Sequence, residues 1–336
     1  MTISRSPRFL TLSLAIALGV AGCGGGGGGG EKAAGPTSTS TTPGGTGAAT
    51  KTGHTSPPLV TLTEPGAEPR KRLRLALVEG STLRAALTLK FGIELEADGK
   101  ALPSTAVPAL RVDLSATVAE VMDNGDARVG FAYERIEVVD DGTAAKEVIE
   151  QIRASGIDKL ADVKGETTIN PRGVAVDGSI DLPKDLPPAL EQVVNQLSQQ
   201  TGSLTVAFPE EAVGQGARWS ATTDVDAGGI RAKLVLTYVL RELAGDGYVL
   251  DVSYDQSAGR QDADFPGLPA GTKVELQDLQ LNGKGEITGN VASVFPIRST
   301  LSAAGTAKLN VASETEKGKL LQRLAIDVMF ETLPPA

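Results

Sequence analysis

The chain has 336 residues, 40% of them hydrophobic, 22% charged and only 4% aromatic, which supplies apolar material for a sizeable core and excludes global disorder. Its one histidine, His54, and its one cysteine, Cys23, both precede the region that carries strand patterning, so that region has no His-based triad, no Cys nucleophile and no His or Cys metal site. The formal net charge of -9 argues against a nucleic-acid partner, because a phosphate backbone repels such a surface.

Residues 1–22 have the three zones of a secretory signal peptide: Arg5 and Arg8, an apolar run from Phe9 to Leu18, then small residues. The run is too short to span a bilayer comfortably. It ends in Val20-Ala21-Gly22-Cys23, which resembles the lipobox of bacterial lipoproteins. The resemblance implies that Cys23 is lipidated and that the leader is removed. The alternative is ordinary cleavage after Ala21, leaving a free thiol. The modified cysteine of that family carries three acyl chains, and each buried CH₂ adds about 0.8 kcal/mol, so anchoring would be effectively permanent. Gly24 stands where Asp would imply inner-membrane retention, which points to the outer membrane of a Gram-negative envelope.

Residues 23–58 read as a tether. They are rich in Gly, Thr, Ser and Pro, include seven consecutive glycines from Gly24 to Gly30, and contain no Val, Ile, Leu, Phe, Tyr or Trp, so nothing here drives folding. A chain of this length and composition has an end-to-end distance of roughly 30–35 Å. Its Thr and Ser could also carry glycans.

From Leu59 to the end at residue 336 the dominant period is two. The residues Leu83, Ala85, Leu87, Leu89, Phe91, Ile93 and Leu95 alternate with polar or small ones, predicting one long strand. Similar alternation marks Leu73-Leu75-Leu77, Val112 to Val118, Val129 to Tyr133, Leu234 to Leu240, Tyr248 to Tyr254 and Leu324 to Phe330. Clean alternation predicts antiparallel strands with one covered face. Turns are expected at Asp98-Gly99, Asn124-Gly125-Asp126, Ala244-Gly245-Asp246-Gly247 and Asn282-Gly283-Lys284-Gly285. Two stretches switch to helical spacing: Ala145, Val148, Ile149 and Ile152, with Gly156 as a stop, and Leu190, Val193, Val194 and Leu197 after Pro187-Pro188. Both are expected to cover the apolar face of the sheet.

Lys164-Gly165-Glu166-Thr167-Thr168-Ile169-Asn170 matches Lys284-Gly285-Glu286-Ile287-Thr288-Gly289-Asn290 at an offset of 120 residues, which also aligns Leu114 with Leu234 and Gly125-Asp126 with Gly245-Asp246. A tandem duplication is expected, with approximate repeats over 73–182 and 203–333. The copies differ where Ala145 to Ile152 map onto Phe265-Pro266-Gly267-Leu268, which cannot be helical.

The stretch from Phe208 to Trp219, with its Pro209, Val213, Gly216 and Trp219, resembles an uncharacterised family of secreted β-rich bacterial proteins and lipoproteins, a domain of unknown function. That resemblance carries over no catalytic residue. At the level of architecture alone, long antiparallel strands with helices on one face also resemble the carrier fold that holds lipoprotein acyl chains or glycolipids.

Neither a G-x-S-x-G elbow nor a phosphate loop occurs. Asp251, Asp255, Asp262, Asp264, Glu210 and Glu211 could supply a glycosidase acid and base, but one Trp and four Tyr are a poor supply of sugar-stacking platforms. Asp224, Asp226, Asp262 and Asp264 lack the spacing and closing Glu of a calcium loop and read as solvated turns. Trp219 reads as a core anchor. The basic run Arg70-Lys71-Arg72 with Arg74 reads as a charged strand edge protected from pairing, or as a contact to anionic headgroups.

The sequence thus predicts a mainly β (α+β) fold: a long-stranded antiparallel sheet or half-barrel from two tandem pseudo-repeats, with two amphipathic helices covering one face. The expected function is that of a non-catalytic cell-envelope lipoprotein with no cofactor or metal. It would be membrane-bound through lipidated Cys23 and would bind a lipid-like or other apolar ligand. The alternative is a structural or assembly partner of another envelope protein; a carboxylate-based glycoside hydrolase is a third, disfavoured reading.

Overall fold

A computed structural model of the chain describes residues 50–51, 57–104, 106–183, 205–227, 229–263, 271–313 and 317–334. The elements in chain order are β1 (Thr50–Lys51), β2 (Leu59–Glu64), β3 (Thr82–Ala97), β4 (Lys100–Ala101), β5 (Ala109–Val121), β6 (Ala127–Val139), α1 (Lys146–Ala154), a 3₁₀ segment (Ile157–Asp162), β7 (Lys164–Ile169), β8 (Ala175–Asp181), β9 (Arg218–Ala227), β10 (Ile230–Ala244), β11 (Gly247–Ala258), β12 (Gln261–Ala263), β13 (Lys273–Asn290), β14 (Arg298–Ala312) and β15 (Lys317–Leu333). All the strands belong to one antiparallel sheet, whose main path runs β1-β8-β7-β6-β5-β3-β15-β14-β13-β11-β10-β9-β2, with β4 on β3 and β12 on β13. The fold is therefore mainly β, and the sheet is open.

Period-two alternation decides which face of each strand is covered. On β11, Tyr248, Leu250, Val252, Tyr254, Gln256 and Ala258 are all buried, with Asp251 and Asp255 exposed between them. The buried residues form three apolar clusters. One lies under β9 to β15, around Leu234, Leu276, Leu281, Ala307 and Ile326. A second lies under β3 and β5 to β8, around Leu114, Phe131 and Ile169. The third surrounds Trp219, Phe208 and Leu250.

The first expected helix is α1. Asp140 and Asp141 make the lead-in by accepting the backbone N–H of Gly142 and of Thr143, each at 3.1 Å. Glu147 in the first turn and Arg153 in the last suit the helix dipole, and Gly156 stops the helix at a φ of 83°. Ile149 is the buried residue of α1 and joins Ile157, Leu160 and Val163 in the second cluster. The second expected helix, after Pro187-Pro188, lies outside the described residues, as do Phe265 to Leu268.

Two strand-and-turn expectations are corrected. Leu73-Leu75-Leu77 is not a sheet strand but part of a strap across the ends of the hairpins. Lys71 bridges Val213, Leu75 N–H donates to Pro171 O at 2.7 Å, and Ala76 N–H donates to Val291 O at 2.8 Å. Its neighbours are turns rather than strands, so no ladder can form, and alternation here reflects burial of Leu73. Burying such a side chain is worth about 1.5–3 kcal/mol, more than the roughly 1 kcal/mol of each backbone bond. The basic run is accordingly no charged strand edge: Arg74 donates to Pro209 O and Glu210 O, both at 2.8 Å, and Lys71 donates to Gly245 O.

The second correction is Asn282-Gly283-Lys284-Gly285, which lies inside the 18-residue β13 rather than in a turn. The glycines serve close approach. A Cβ on Gly283 would sit 2.6 Å from the Ala303 Cβ, and one on Gly285 would sit 2.0 Å from Thr300 O.

The strands β5, β6, β7 and β8 are consecutive neighbours, as are β10, β11, β13 and β14. The hairpin β5–β6 has a register shift between Val118 and Glu120, and β10–β11 has one between Leu240 and Glu242. Asn170 and Asn290, 120 residues apart, each open a turn by accepting the backbone N–H two residues on, from Arg172 at 2.9 Å and from Ala292 at 2.8 Å.

Candidate functional site

The residues singled out from the sequence are not brought together. Cys23, the tether apart from Thr50, Lys51, Pro57 and Pro58, Val193, Leu197 and Asp264 lie outside the described residues. Asp251 sits on the exposed face of β11, 3.1 Å from Arg241, which is also 2.6 Å from Glu286. Asp262 is on β12 opposite Glu275, Asp255 is on the exposed face of β11, and Glu210 and Glu211 lie in the loop before β9. Asp224 and Asp226 lie on β9. Among the described residues no group of three or more His, Cys, Asp or Glu could hold a metal ion. Trp219 is fully buried, donates its indole N–H to Ala207 O at 2.9 Å and stacks on Tyr238 with centroids 5.4 Å apart.

Two surfaces have the character of sites. The first is the inner face of the sheet. In register across it stand Leu236, Tyr254, Gly283, Ala303, Ile326 and Phe91, on β10, β11, β13, β14, β15 and β3. Leu236, Leu301, Val328 and Phe91 are only partly buried and pack against the first cluster. The Tyr254 hydroxyl donates to Gln256 Oε1 at 2.6 Å. Gln256 is 1% exposed, and its Nε2 has no hydrogen-bond partner among the described residues. A buried amide donor left unmet costs about 1–3 kcal/mol.

The second surface is an open cleft of about 570 Å³ on the opposite face, at the tips of β3, β13, β14 and β15. The inward positions Leu276, Ala307, Leu309 and Leu324 belong to the first cluster, so the alternating Lys308, Asn310, Lys319 and Leu321 point outward. Glu96, Asp98, Arg260 and Gln277 complete its polar lining. A register shift between Leu276 and Asp278 marks a β-bulge at Gln277, the device by which strands re-aim a side chain.

Burial also perturbs two groups beside the loop before β9. The Tyr248 hydroxyl is pushed well above the ordinary tyrosine range by desolvation. Arg74 is lowered, first by burial and then by Arg172 and Arg72.

Sequence reasoning passed over the cleft residues. One signal was present: apolar positions Val274 and Leu276 are followed by Leu279 and Leu281, a change of parity that marks the bulge. No protein-family model matches the chain, and no curated protein is detectably similar to it.

Proposed function

We propose that this chain is a cell-envelope lipoprotein, anchored through Cys23, that holds a lipid-like or other apolar ligand against the inner face of its sheet and performs no catalysis. The observation that carries the reading is the row of partly buried apolar side chains, Leu236, Leu301, Val328 and Phe91. Apolar pockets with a few polar groups suit such ligands. The inner-face reading extends the resemblance to acyl-chain and glycolipid carriers.

A finer part of the proposal is that the sheet arose by tandem duplication. Supporting it are the matched neighbour orders and the turns opened by Asn170 and Asn290. The strap also bonds Pro171 O and Val291 O, 120 residues apart, from the adjacent residues Leu75 and Ala76.

The test uses the full chain purified gently from membranes. Native mass spectrometry is expected to find co-purifying lipid, and Leu301→Glu is expected to release it while far-UV circular dichroism is retained, because a buried unpaired charge opposes apolar occupancy. Cys23→Ala is expected to abolish fatty-acid labelling. Wild-type protein repeatedly free of lipid would overturn the ligand, and unchanged labelling of the cysteine variant would overturn the anchor.

A further inference from the structure

We propose that the outer cleft is a binding site for a phosphate group, presented by a small phosphate ester or by a phospholipid headgroup. The carboxylates of the cleft are already engaged: Glu96 is 3.2 Å from Arg323, and Asp98 accepts the Lys319 backbone N–H at 2.8 Å. Arg260 lies 3.1 Å from Glu275 and donates to Gln277 Oε1 from Nη2 at 2.7 Å.

Two cations of the cleft remain unpaired. Among the described residues neither the Lys308 nor the Lys319 ammonium has an ion-pair or hydrogen-bond partner, and the Gln277 Nε2 is buried without one. Lys319 stands opposite Asn310, two residues along the same outward face from Lys308. The bulge places Gln277 in the lining beside them, and Arg260 holds its amide by the oxygen.

Two ammonium groups suit a ligand with several acceptor oxygens and negative charge, and lysine binds phosphate as a point charge. The volume of about 570 Å³ exceeds what a bare phosphate needs and lies in the range of small-molecule sites, so the group is carried on a larger body that can rest on Leu321.

The test is isothermal titration of the full chain with inorganic phosphate, and flotation with vesicles of phosphatidylglycerol or of phosphatidylcholine alone. Binding is expected at low ionic strength and should weaken with salt. Lys308→Gln and Lys319→Gln should each weaken it about tenfold, the order of losing one charge-assisted hydrogen bond, with Lys308→Arg restoring most of the loss. Both lysines point to solvent, so thermal melting should be unchanged. Phosphate binding without vesicle binding assigns a soluble ester; binding only to phosphatidylglycerol vesicles assigns the headgroup. Absence of binding to either probe, or equal binding by the wild type and the Lys308→Gln/Lys319→Gln double variant, overturns the site.

Discussion

Gly289 on β13 stands opposite Tyr248 on β11, and a Cβ built there would lie 2.2 Å from Tyr248 Cζ, 2.3 Å from its hydroxyl oxygen and 2.6 Å from Cε2. The ring cannot swing away easily, because it is 4% exposed and packs edge-on to Phe208 with centroids 5.4 Å apart. At the position 120 residues earlier the volumes are reversed: Ile169 stands opposite Ala127, and both are buried. Gly289→Ala should therefore cost about 1–2 kcal/mol, an overpacking penalty of about 1–3 offset by roughly 0.5–1 from relieving a strand glycine. Gly289→Ile should cost more, and Tyr248→Ala about 3–5 kcal/mol for the emptied ring volume. The double variant Gly289→Ile/Tyr248→Ala recreates the Ala–Ile pair and should be less destabilised than the sum, with a coupling of about 2 kcal/mol. Urea unfolding followed by Trp219 reads this directly, since it is the one tryptophan of the chain and shares a cluster with Tyr248. Gly259→Ala, with nothing within 4 Å, is the neutral control. Gly289→Ile tolerated as well as the control, or strictly additive costs in the double variant, would refute the reasoning.

Tyr248 also makes a pH prediction. Its hydroxyl is raised in the folded state by burial, so the contribution is fully present below the unfolded value of about 10 and is lost as pH rises above it; Tyr248→Phe should flatten the alkaline fall of the urea midpoint, and an unchanged slope would contradict the assignment. Arg74 clamps the loop before β9 through Pro209 O and Glu210 O, so Arg74→Ala should lower unfolding free energy by about 1–3 kcal/mol. Arg74→Lys should recover only part, because one ammonium lacks the fork that reaches both carbonyls; an Arg74→Ala midpoint equal to wild type would remove the clamp.

Strand parity was legible because a side chain's face depends only on its neighbours along the chain. Leu83 to Leu95 predicts β3 with its covered face, and Tyr248 to Tyr254 does so for β11. The α1 segment was legible for the same local reason: Ala145 to Ile152 has helical spacing and Gly156 a stop. The turn assigned at Asn282 to Gly285 failed because glycine has two uses. The sequence shows the missing side chain, but only the partner strand shows whether it serves a turn or, as at Gly283 against Ala303, a close approach.

Sequence alone determined that these strands are antiparallel-type, that they have one apolar face, and that the patterned region lacks histidine and cysteine. Tertiary structure alone decided that Leu89 pairs with Val328 across 239 residues, that Leu73 to Leu77 forms a strap rather than a strand, and that Lys308, Lys319 and Gln277 meet on one outward face. Pairing partners and convergent side chains depend on which distant segments lie side by side. Period-two patterning is nearly identical for every strand, so it specifies a face but not a neighbour.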